Sequence, residues 1–500
     1  MGSYYQKIKA KIGIVCDPVL YDSLVSAADF VYMPPSGWRE HVQDVDMLLV
    51  VSTWCGLHDN EWFGLGVQGR PIRDELLAMI AEFRRRGIPV VFYSKEDPPN
   101  YQVFLDFAKA CDFIFTTAAE VVPDYRRDCG HDRVEVLRFC IDPALANPVG
   151  CLDAPRRPGT LFTGSWLIKY PLRCRDLGEL LAGADAAGRG LTIVDRNSAA
   201  AGNPGCRFPR RYRKCIRPAM PHADLPGFHK SFDWSLNVNT VTGSETMFAV
   251  RCYELLACGC PLISNFSLGM LHELPEIAIG DTADFVRDII CGTNAADLQL
   301  RRAAGIRRVL NGNTCHERVA QLVRAAGMSA ELPRRRVAVV VDAVDDRLRA
   351  DFEAQTYPHR QLLTAAEFDQ VGETEFDYVS RWTAGHHYSP YFLQDLIDVF
   401  KYTDADFSTD VGAPYTYVDH AEPGRCVCRC GMEPRRGFAV PPAAEVADYE
   451  RMVARGHEIT ELPQRRAEDF LPPLWVRAHT CLYENGLRYT LRRILFGRQY

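Results

Sequence analysis

Short apolar runs of strand length alternate with amphipathic runs of helix length along the first 150 residues, and this alternation constrains the fold most. The runs KIGIVCD, DVDMLLVVSTW and IPVVFYS have strand character, and the intervening run RDELLAMIAEFRRRG has helix character and closes at Gly87. Consecutive βαβ units of this kind predict a parallel sheet with right-handed crossovers.

A second βαβ series follows a segment rich in Pro and Gly at 147–159. Its strand-like runs are TLFTGSW, LTIVDRN, WSLNVNT and PLISN, and the run MFAVRCYELLACG predicts a helix before the last of them. Two doubly wound domains in tandem place a cleft between the carboxyl edges of their sheets. The predicted domains are 1–150 and 151–330, and a third region of 331–500 begins around LPRRR.

Composition narrows the classes of partner. The net charge is -6 without long basic tracts, so nucleic acid is not an expected partner. The N-terminus has no apolar signal core, and no window of 18 uninterrupted apolar residues predicts a spanning helix. The 18 cysteines include no C-x-x-C pair, and the trio Cys426, Cys428 and Cys430 has no evident fourth ligand for a metal. A reducing cytoplasm is the expected location.

Polar residues follow the predicted strands on both walls of the cleft, where ligands of such folds collect. On the first domain these residues are Trp54, Lys95, Glu96 and Asp97, and on the second they are Gly164, Ser165, Lys169, Arg173 and Arg196. The basic wall suits a diphosphate, and a carboxylate of the other wall could take a proton from a hydroxyl. The alternative is that the cations are solvated surface charges and that KEDP is a turn with a Lys–Glu surface pair.

Motifs spread in order over residues 10–325 strongly resemble the CgeB-like glycosyltransferases, which are bacterial GT-B enzymes often found with cell-surface polysaccharide genes. The motifs are STWCGLHDNEW, IPVVFYSKEDPPNYQVFLDFAKACDFIFTT, FTGSWLIKYPLRCRDL, IVDRNS and SLNVNTVTGSETMFAVRCYELLACGCPLISNFS. The resemblance implies a GT-B fold of two Rossmann-like domains. It also implies a nucleotide-diphosphate-sugar donor in the second domain, an acceptor in the first, and no metal or other cofactor.

Carried over to this chain, the resemblance makes Gly164 and Ser165 the phosphate-facing turn, Lys169 the lysine directed at the diphosphate, and Glu254 the ribose ligand. It places Thr246, Met247 and Phe248 at a helix N-terminus whose amides face the phosphates. Two glutamates eight positions apart are usual in the wider class, whereas Glu245 and Glu254 stand nine apart and Thr246 takes the first place. The expected donor site therefore lacks one sugar contact. Trp54, Lys95, Glu96 and Asp97 match family motifs without a settled role.

The third region is similar to a GT-A glycosyltransferase of the large inverting family-2 class, through FEAQTYPHRQLL and FDYVSRWTAGHHYSPYFLQDLIDVFKYTDADF. Thr383, Ala384, Gly385 and His386 stand where that class has metal-binding carboxylates, and they cannot supply hard anionic oxygen ligands. The adjacent His386 and His387 would point apart on a strand. The region is expected to be a degenerate GT-A-like α/β domain that serves packing, dimerisation or acceptor handling.

The C-terminal run NGLRYTLRRILFGRQY has the pattern of a basic amphipathic helix, which either lies on an anionic membrane or packs on its own domain. The sequence as a whole predicts a cytoplasmic glycosyltransferase that acts on a surface glycan or a lipid-linked acceptor, and the C-terminal run allows peripheral contact with the inner face of the membrane. The alternatives are a nucleotide-sugar epimerase-like GT-B enzyme and a non-catalytic glycan-binding scaffold. Retention and inversion of the anomeric centre are equally compatible with the residues.

Overall fold

The computed structural model describes residues 4–446, except 59, 154–156, 199–203 and 275, together with residues 2 and 450. Three α/β units follow one another, and each is built around its own sheet. The first two sheets are entirely parallel and the third is mixed. The predicted α/β class with two doubly wound domains in a GT-B arrangement is confirmed.

The first domain carries a six-stranded parallel sheet with helices on both faces. Its strands are β1 (Ile8–Val15), β2 (Ala28–Tyr32), β3 (Met47–Val51), β4 (Val90–Ser94), β5 (Phe113–Thr116) and β6 (Val134–Val136). Its helices are α1 (Pro18–Leu24), α2 (Trp38–His41), α3 (Pro71–Arg85), α4 (Tyr101–Ala110) and α5 (Val122–Cys129). The strand order is β2-β1-β3-β4-β5-β6. Leu48 and Val50 face one apolar core and Met47 and Leu49 face the other, which explains the unbroken apolar run of β3.

The second domain repeats the plan. Its strands are β7 (Arg157–Gly164), β8 (Leu191–Asp195), β9 (Ile216–Arg217), β10 (Phe232–Asn237), β11 (Leu262–Ser264) and β12 (Ala278–Ile279). Its helices are α6 (Pro171–Ala186), α7 (Leu225–His229), α8 (Arg251–Ala257), α9 (Leu268–Glu273), α10 (Ala283–Gly292) and α11 (Ala295–Leu310). The strand order is β12-β11-β10-β7-β8-β9, so the order reverses between β7 and β10. A crevice opens at the carboxyl ends of strands where the order reverses.

Helix α12 (Cys315–Ala325) differs from the prediction, which placed it in the second domain. Its buried residues Val319, Leu322 and Val323 belong to the apolar core under the first sheet. The chain returns to that domain beside its earlier crossing, because Ile141 donates a backbone hydrogen bond to Asn313 and accepts one from Cys315. The second domain therefore ends before α12, and α12 packs on the first domain. The third domain begins after α12, with β13.

In the described part of the third domain, helices pack on a seven-stranded mixed sheet. Its strands are β13 (Val337–Val341), β14 (Arg360–Thr364), β15 (Tyr378–Arg381), β16 (Phe407–Thr409), β17 (Tyr417–Val418), β18 (Cys426–Arg429) and β19 (Gly437–Ala439). Its helices are α13 (Asp346–Glu353), α14 (Ala365–Val371) and α15 (Phe392–Tyr402). One apolar core joins this domain to the second, because α8 packs on α11 and α11 packs against α15.

The segment that replaces the expected metal-binding carboxylates follows β15. The Oγ1 of Thr383 is hydrogen-bonded to Nδ1 of His386, whereas Nδ1 of His387 lies 3.0 Å from Oδ1 of Asp351, so the two histidines have different partners. On β18 the Sγ atoms of Cys426 and Cys428 are 3.9 Å apart. Among the described residues no group of three or more His, Cys, Asp or Glu side chains could hold a metal ion. The likeness of this domain to GT-A enzymes stays a prediction.

Helices in the described part of the chain are too short or too polar to cross a membrane. The predicted amphipathic C-terminal helix falls outside the described residues.

Candidate functional site

A cavity of about 220 Å³ lies at the carboxyl edge of the second sheet, between the ends of β7 and β10. Gly164 and Ser165 bound it after β7, and Val238 and Asn239 bound it after β10. Three arginines also line it, namely Arg173, Arg196 and Arg251. The cavity therefore occupies the point where the strand order reverses, which is where doubly wound domains bind their ligands.

Three different elements bring the arginines together around the turn at Gly164. Arg173 is on α6, and its Nη1 donates to the carbonyl oxygen of Ser165 at 2.7 Å. Arg196 follows β8, and its backbone amide donates to the carbonyl oxygen of Gly164 at 3.0 Å. Arg251 opens α8, and a Cβ added at Gly164 would lie only 3.3 Å from its Nη2. The same Cβ would lie 2.9 Å from Cζ of Phe162, so a side chain at this position would crowd both the Phe162 ring and the Arg251 guanidinium.

The cavity is strongly electropositive. Burial and the neighbouring charge of Arg251 lower the pKa of Arg173 to about 10, and burial also lowers the pKa of Arg251. Within the described part of the chain, the guanidinium groups of Arg196 and Arg251 have neither an ion pair nor a side-chain hydrogen bond. Like charges held close together in a partly dry site favour an anion, and guanidinium groups match phosphate oxygens in geometry.

Glu254 lies one helical turn beyond Arg251 and is held by a histidine. Its Oε1 is 2.8 Å from Nε2 of His222, and Nδ1 of the same ring is 3.0 Å from Oδ2 of Asp22 on the first domain. Burial alone would lower the pKa of His222, but the hydrogen bonds and charges of Glu254 and Asp22 outweigh it and raise the pKa to about 9. The predicted ribose ligand is therefore linked through an imidazole to the opposite wall of the cleft.

On that opposite wall, Lys95 joins two carboxylates. Its Nζ is 2.9 Å from Oδ2 of Asp17 and 2.9 Å from Oε1 of Glu96. Burial tends to raise the pKa of Asp17, but Lys95 chiefly, and the charge of Arg196 in a smaller part, hold it below its usual value. Arg196 belongs to the second domain, so a cation of that domain contributes to the low pKa of Asp17 on the first.

The two predicted catalytic carboxylates occupy different environments. Glu96 is partly exposed, and its Oε2 accepts from Nδ2 of Asn100 at 3.3 Å. Asp97 is 0% exposed, and its carboxylate accepts from the hydroxyls of Thr116 at 2.6 Å and Tyr125 at 3.4 Å. Burial raises the pKa of Asp97 to about 7 although these hydrogen bonds oppose the shift. A substrate hydroxyl can reach Glu96 without rearrangement, but it cannot reach Asp97.

Trp54, the predicted acceptor-side aromatic residue, is 39% exposed in the loop after β3. The centroid of its ring is 5.3 Å from that of Phe104, and a Cβ added at Gly66 would collide with the indole. The indole thus packs against Phe104 and Gly66 on one side, and its other side is open to solvent, where an acceptor could contact it.

Some residues carried over from the family pattern do not meet at the cavity. Lys169 is exposed, and its Nζ lies 4.6 Å from the ring centroid of Tyr170, outside the cavity lining. The Oγ1 of Thr246 donates to the carbonyl oxygen of Thr117 at 2.8 Å and accepts from the amide of Ala119 at 2.9 Å. Both partners of Thr246 belong to the first domain, so this residue joins the domains. Phe248 is buried against Tyr253.

The predicted helix start is also corrected. Helix α8 begins at Arg251, four residues later than the Met247 that the pattern predicted. The amides of Thr246 and Met247 point instead at Oγ of Ser244, at 3.4 and 3.0 Å. These two amides are therefore not the free N-terminal donors that the resemblance implies, although Met247 still lines the cavity. Glu245 is exposed in the same loop.

Sequence reasoning missed several residues of this site, among them Arg251 and His222. Arg251 precedes Glu254 by three positions, and this spacing on a helix could have indicated a shared face. His222 lies in the proline-rich run RPAMPHADLPG, which carries no periodic signal, and only the tertiary fold brings it to Glu254.

Residues 183–324 match the family model described as glycosyl transferase-like. No curated protein matches the chain in sequence. The region that matches the family model includes Arg196, Arg251, Glu254 and His222.

Several solved structures share a weak likeness with the chain. An α-glucosyltransferase in complex with UDP and a 13-mer DNA is 10% identical over 64% of this chain and 100% of that one, with a TM-score of 0.45. The Anabaena protein HepE in complex with UDP and glucose is 10% identical over 63% and 100%, with a TM-score of 0.41. A UDP-forming trehalose-phosphate synthase from Burkholderia vietnamiensis is 15% identical over 56% and 74%, with a TM-score of 0.36. Likenesses at TM-scores this low do not establish a common activity.

Proposed function

We propose that the protein is a GT-B glycosyltransferase that transfers a sugar from a nucleotide-diphosphate-sugar donor to a hydroxyl of an acceptor glycan. The observation that carries the proposal is the cavity lined by Arg173, Arg196 and Arg251 at the point of strand-order reversal. The match of residues 183–324 to the glycosyl transferase-like model supports it.

The arginines would hold the diphosphate as it becomes the leaving group. In the transfer, the bond between the anomeric carbon and the diphosphate oxygen breaks, and a bond from that carbon to the acceptor oxygen forms. Negative charge accumulates on the diphosphate, and preorganised cations lower the barrier by stabilising that charge. We propose that this charge stabilisation replaces a metal ion and that no cofactor is needed.

Glu96 is the proposed base if the reaction inverts the anomeric centre. Its carboxylate would take the proton of the acceptor hydroxyl as that oxygen attacks. Lys95 holds Oε1 of Glu96 at 2.9 Å and so orients the side chain. If the reaction retains configuration, Glu96 would only position the acceptor beside Trp54. The proposed acceptor is a bacterial cell-surface glycan or its lipid-linked precursor, met at the cytoplasmic face of the membrane.

Calorimetry with UDP, GDP and dTDP and with their sugars tests the donor site. We expect one nucleotide series to bind to the unaltered chain and Arg251→Gln to weaken that binding about ten- to hundredfold. A hydrogen bond to a charged group contributes about 1.5–3 kcal/mol, and each 1.4 kcal/mol corresponds to a factor of about ten.

Arg287→Gln is the matched control, because Arg287 lies in the same domain but pairs with Asp284 and Asp288 on the surface of α10. Equal affinities of the Arg251 and Arg287 variants would remove Arg251 from the site. The absence of binding by every nucleotide would overturn the transferase proposal. Donor turnover without any acceptor would favour an epimerase instead.

A further inference from the structure

The ring of His222 sits between two carboxylates that belong to different domains. Its Nε2 is 2.8 Å from Oε1 of Glu254 on α8, and its Nδ1 is 3.0 Å from Oδ2 of Asp22 on α1. The side chain of His222 is 13% exposed, so water competes little for either nitrogen. A neutral imidazole has a single N–H donor, and therefore both contacts form together when the ring carries two protons.

The charges around the ring are consistent with a doubly protonated ring. Asp22 and Glu254 face it directly, and Arg251 stands at the start of the helix that carries Glu254. The nearby His229 stays neutral, because burial and the charges of Arg251 and His222 lower its pKa to about 3. The negative charges of Asp22 and Glu254 thus offset the positive charges of His222 and Arg251.

One oxygen of Glu254 is left for a ligand. Oε1 is used by His222, whereas Oε2 has no hydrogen-bond partner among the residues that the structure describes. Glu254, His222 and Asp22 all lie outside the lining of the arginine cavity, but Glu254 stands one helical turn from Arg251, which does line it. Of these three residues Asp22 is the one on the first domain, and it contacts Glu254 through the ring of His222.

We infer that His222 is a positioning residue of the donor site, which as an imidazolium fixes the Glu254 carboxylate and ties it to Asp22 across the interdomain cleft. This inference rests on the proposed function, because Glu254 is taken as a donor ligand. His222 itself does not have to touch the nucleotide. Donor affinity would then depend on a first-domain carboxylate outside the donor cavity and on the protonation of one histidine.

The first test compares Asp22→Asn with Asp29→Asn. Asp29 is also a first-domain carboxylate in an ion pair, with Lys7 at 2.7 Å, but it is exposed on β2. Calorimetry at pH 7 uses whichever of UDP, GDP and dTDP binds to the unaltered chain. We expect Asp22→Asn to weaken binding about tenfold and Asp29→Asn to leave it within twofold. His222→Gln, which can donate to only one carboxylate at a time, is expected to resemble Asp22→Asn.

The second test is the pH dependence of the same affinity. The pKa of His222 in the folded chain, about 9, is higher than the usual value of about 6.5. The bridge is therefore fully present below about pH 6.5 and is lost as the pH rises through about 9. We expect the affinity of the unaltered chain to fall about tenfold between pH 8 and pH 10, and that of Asp22→Asn to change much less.

The outcomes separate this inference from the proposed function. If no nucleoside diphosphate binds to the unaltered chain, the proposed function fails and the inference fails with it. If one binds, and neither Asp22→Asn nor the rise to pH 10 weakens it by more than twofold, the bridge has no role in donor binding. If Asp22→Asn does not fold, His222→Gln takes its place in both comparisons.

Discussion

At the scale of single residues, adjacent carboxylates can differ in exposure and in hydrogen-bond partners. Glu96 and Asp97 follow the same strand, and the sequence offers no reason to prefer either as a base. The backbone turns Glu96 toward Lys95 and the cleft, and it turns Asp97 inward to the hydroxyls of Thr116 and Tyr125. Such a difference depends on which core lies behind each residue, and no local pattern shows that.

Asp97→Asn is expected to change how stability depends on pH. The raised pKa of about 7 means that the favourable contribution of protonated Asp97 is present below about pH 4 and is lost as the pH rises through 7. Asparagine is neutral throughout and keeps an acceptor for Thr116. We therefore expect the variant to gain up to a few kcal/mol over the unaltered chain between pH 5 and pH 8, since one pKa unit corresponds to about 1.4 kcal/mol.

Urea unfolding of both chains at pH 5 and pH 8 measures this difference. The same difference in unfolding free energy at the two pH values would show that Asp97 does not titrate in this range.

At the scale of elements, the loop before α8 joins the second domain to the first, whereas its sequence pattern predicted the first turn of a helix. The run MFAVRCYELLACG predicts a helix from Met247, but the helix begins at Arg251. Ser244 donates to Oε2 of Glu120 at 2.9 Å, and Thr246 bonds to the backbone of Thr117 and Ala119. These contacts cross to the first domain and hold the loop out of the helix. Helix propensity within the run cannot reveal them, because their partners are more than 120 residues away.

Thr246→Val tests this reassignment. Valine keeps the shape of threonine but leaves the carbonyl of Thr117 and the amide of Ala119 without their side-chain partner, which costs about 1–3 kcal/mol. We expect the free energy of unfolding to fall by that amount, while nucleotide affinity measured by calorimetry stays within about twofold. A large loss of affinity with unchanged stability would instead restore Thr246 to the donor site.

At the scale of the whole molecule, the sequence predicted the fold class and the two parallel sheets correctly. Buried strands such as Met47–Val51 and amphipathic helices such as Pro71–Arg85 are local patterns that can be recognised along the chain. The packing of α12 on the first domain and the core shared by the second and third domains were not predicted. Both depend on which apolar faces meet in space, and many faces in such a chain are chemically equivalent.

The contact between the second and third domains includes a buried ion-pair cluster. The guanidinium of Arg307 on α11 is 2.6 Å from Oδ2 of Asp395 on α15 and 2.7 Å from Oε2 of Glu450, and its side chain is 6% exposed. Arg307→Met should lower the free energy of unfolding by about 3–5 kcal/mol, because it leaves buried carboxylates without a counter-charge. Urea unfolding measures this loss.

The double variant Arg307→Met/Asp395→Leu removes one of those carboxylates and should recover part of the loss. A double variant no more stable than Arg307→Met would show that the unpaired charge of Asp395 is not the cause.

The helix that carries Arg251 and Glu254 rests, through α11, on the core of the third domain. The third domain therefore supports, through α11, the helix whose Arg251 lines the arginine cavity. Leu396 on α15 belongs to the same apolar core as the buried residues of α8, so a smaller side chain at 396 is expected to loosen the packing beneath Arg251 as well as within the third domain.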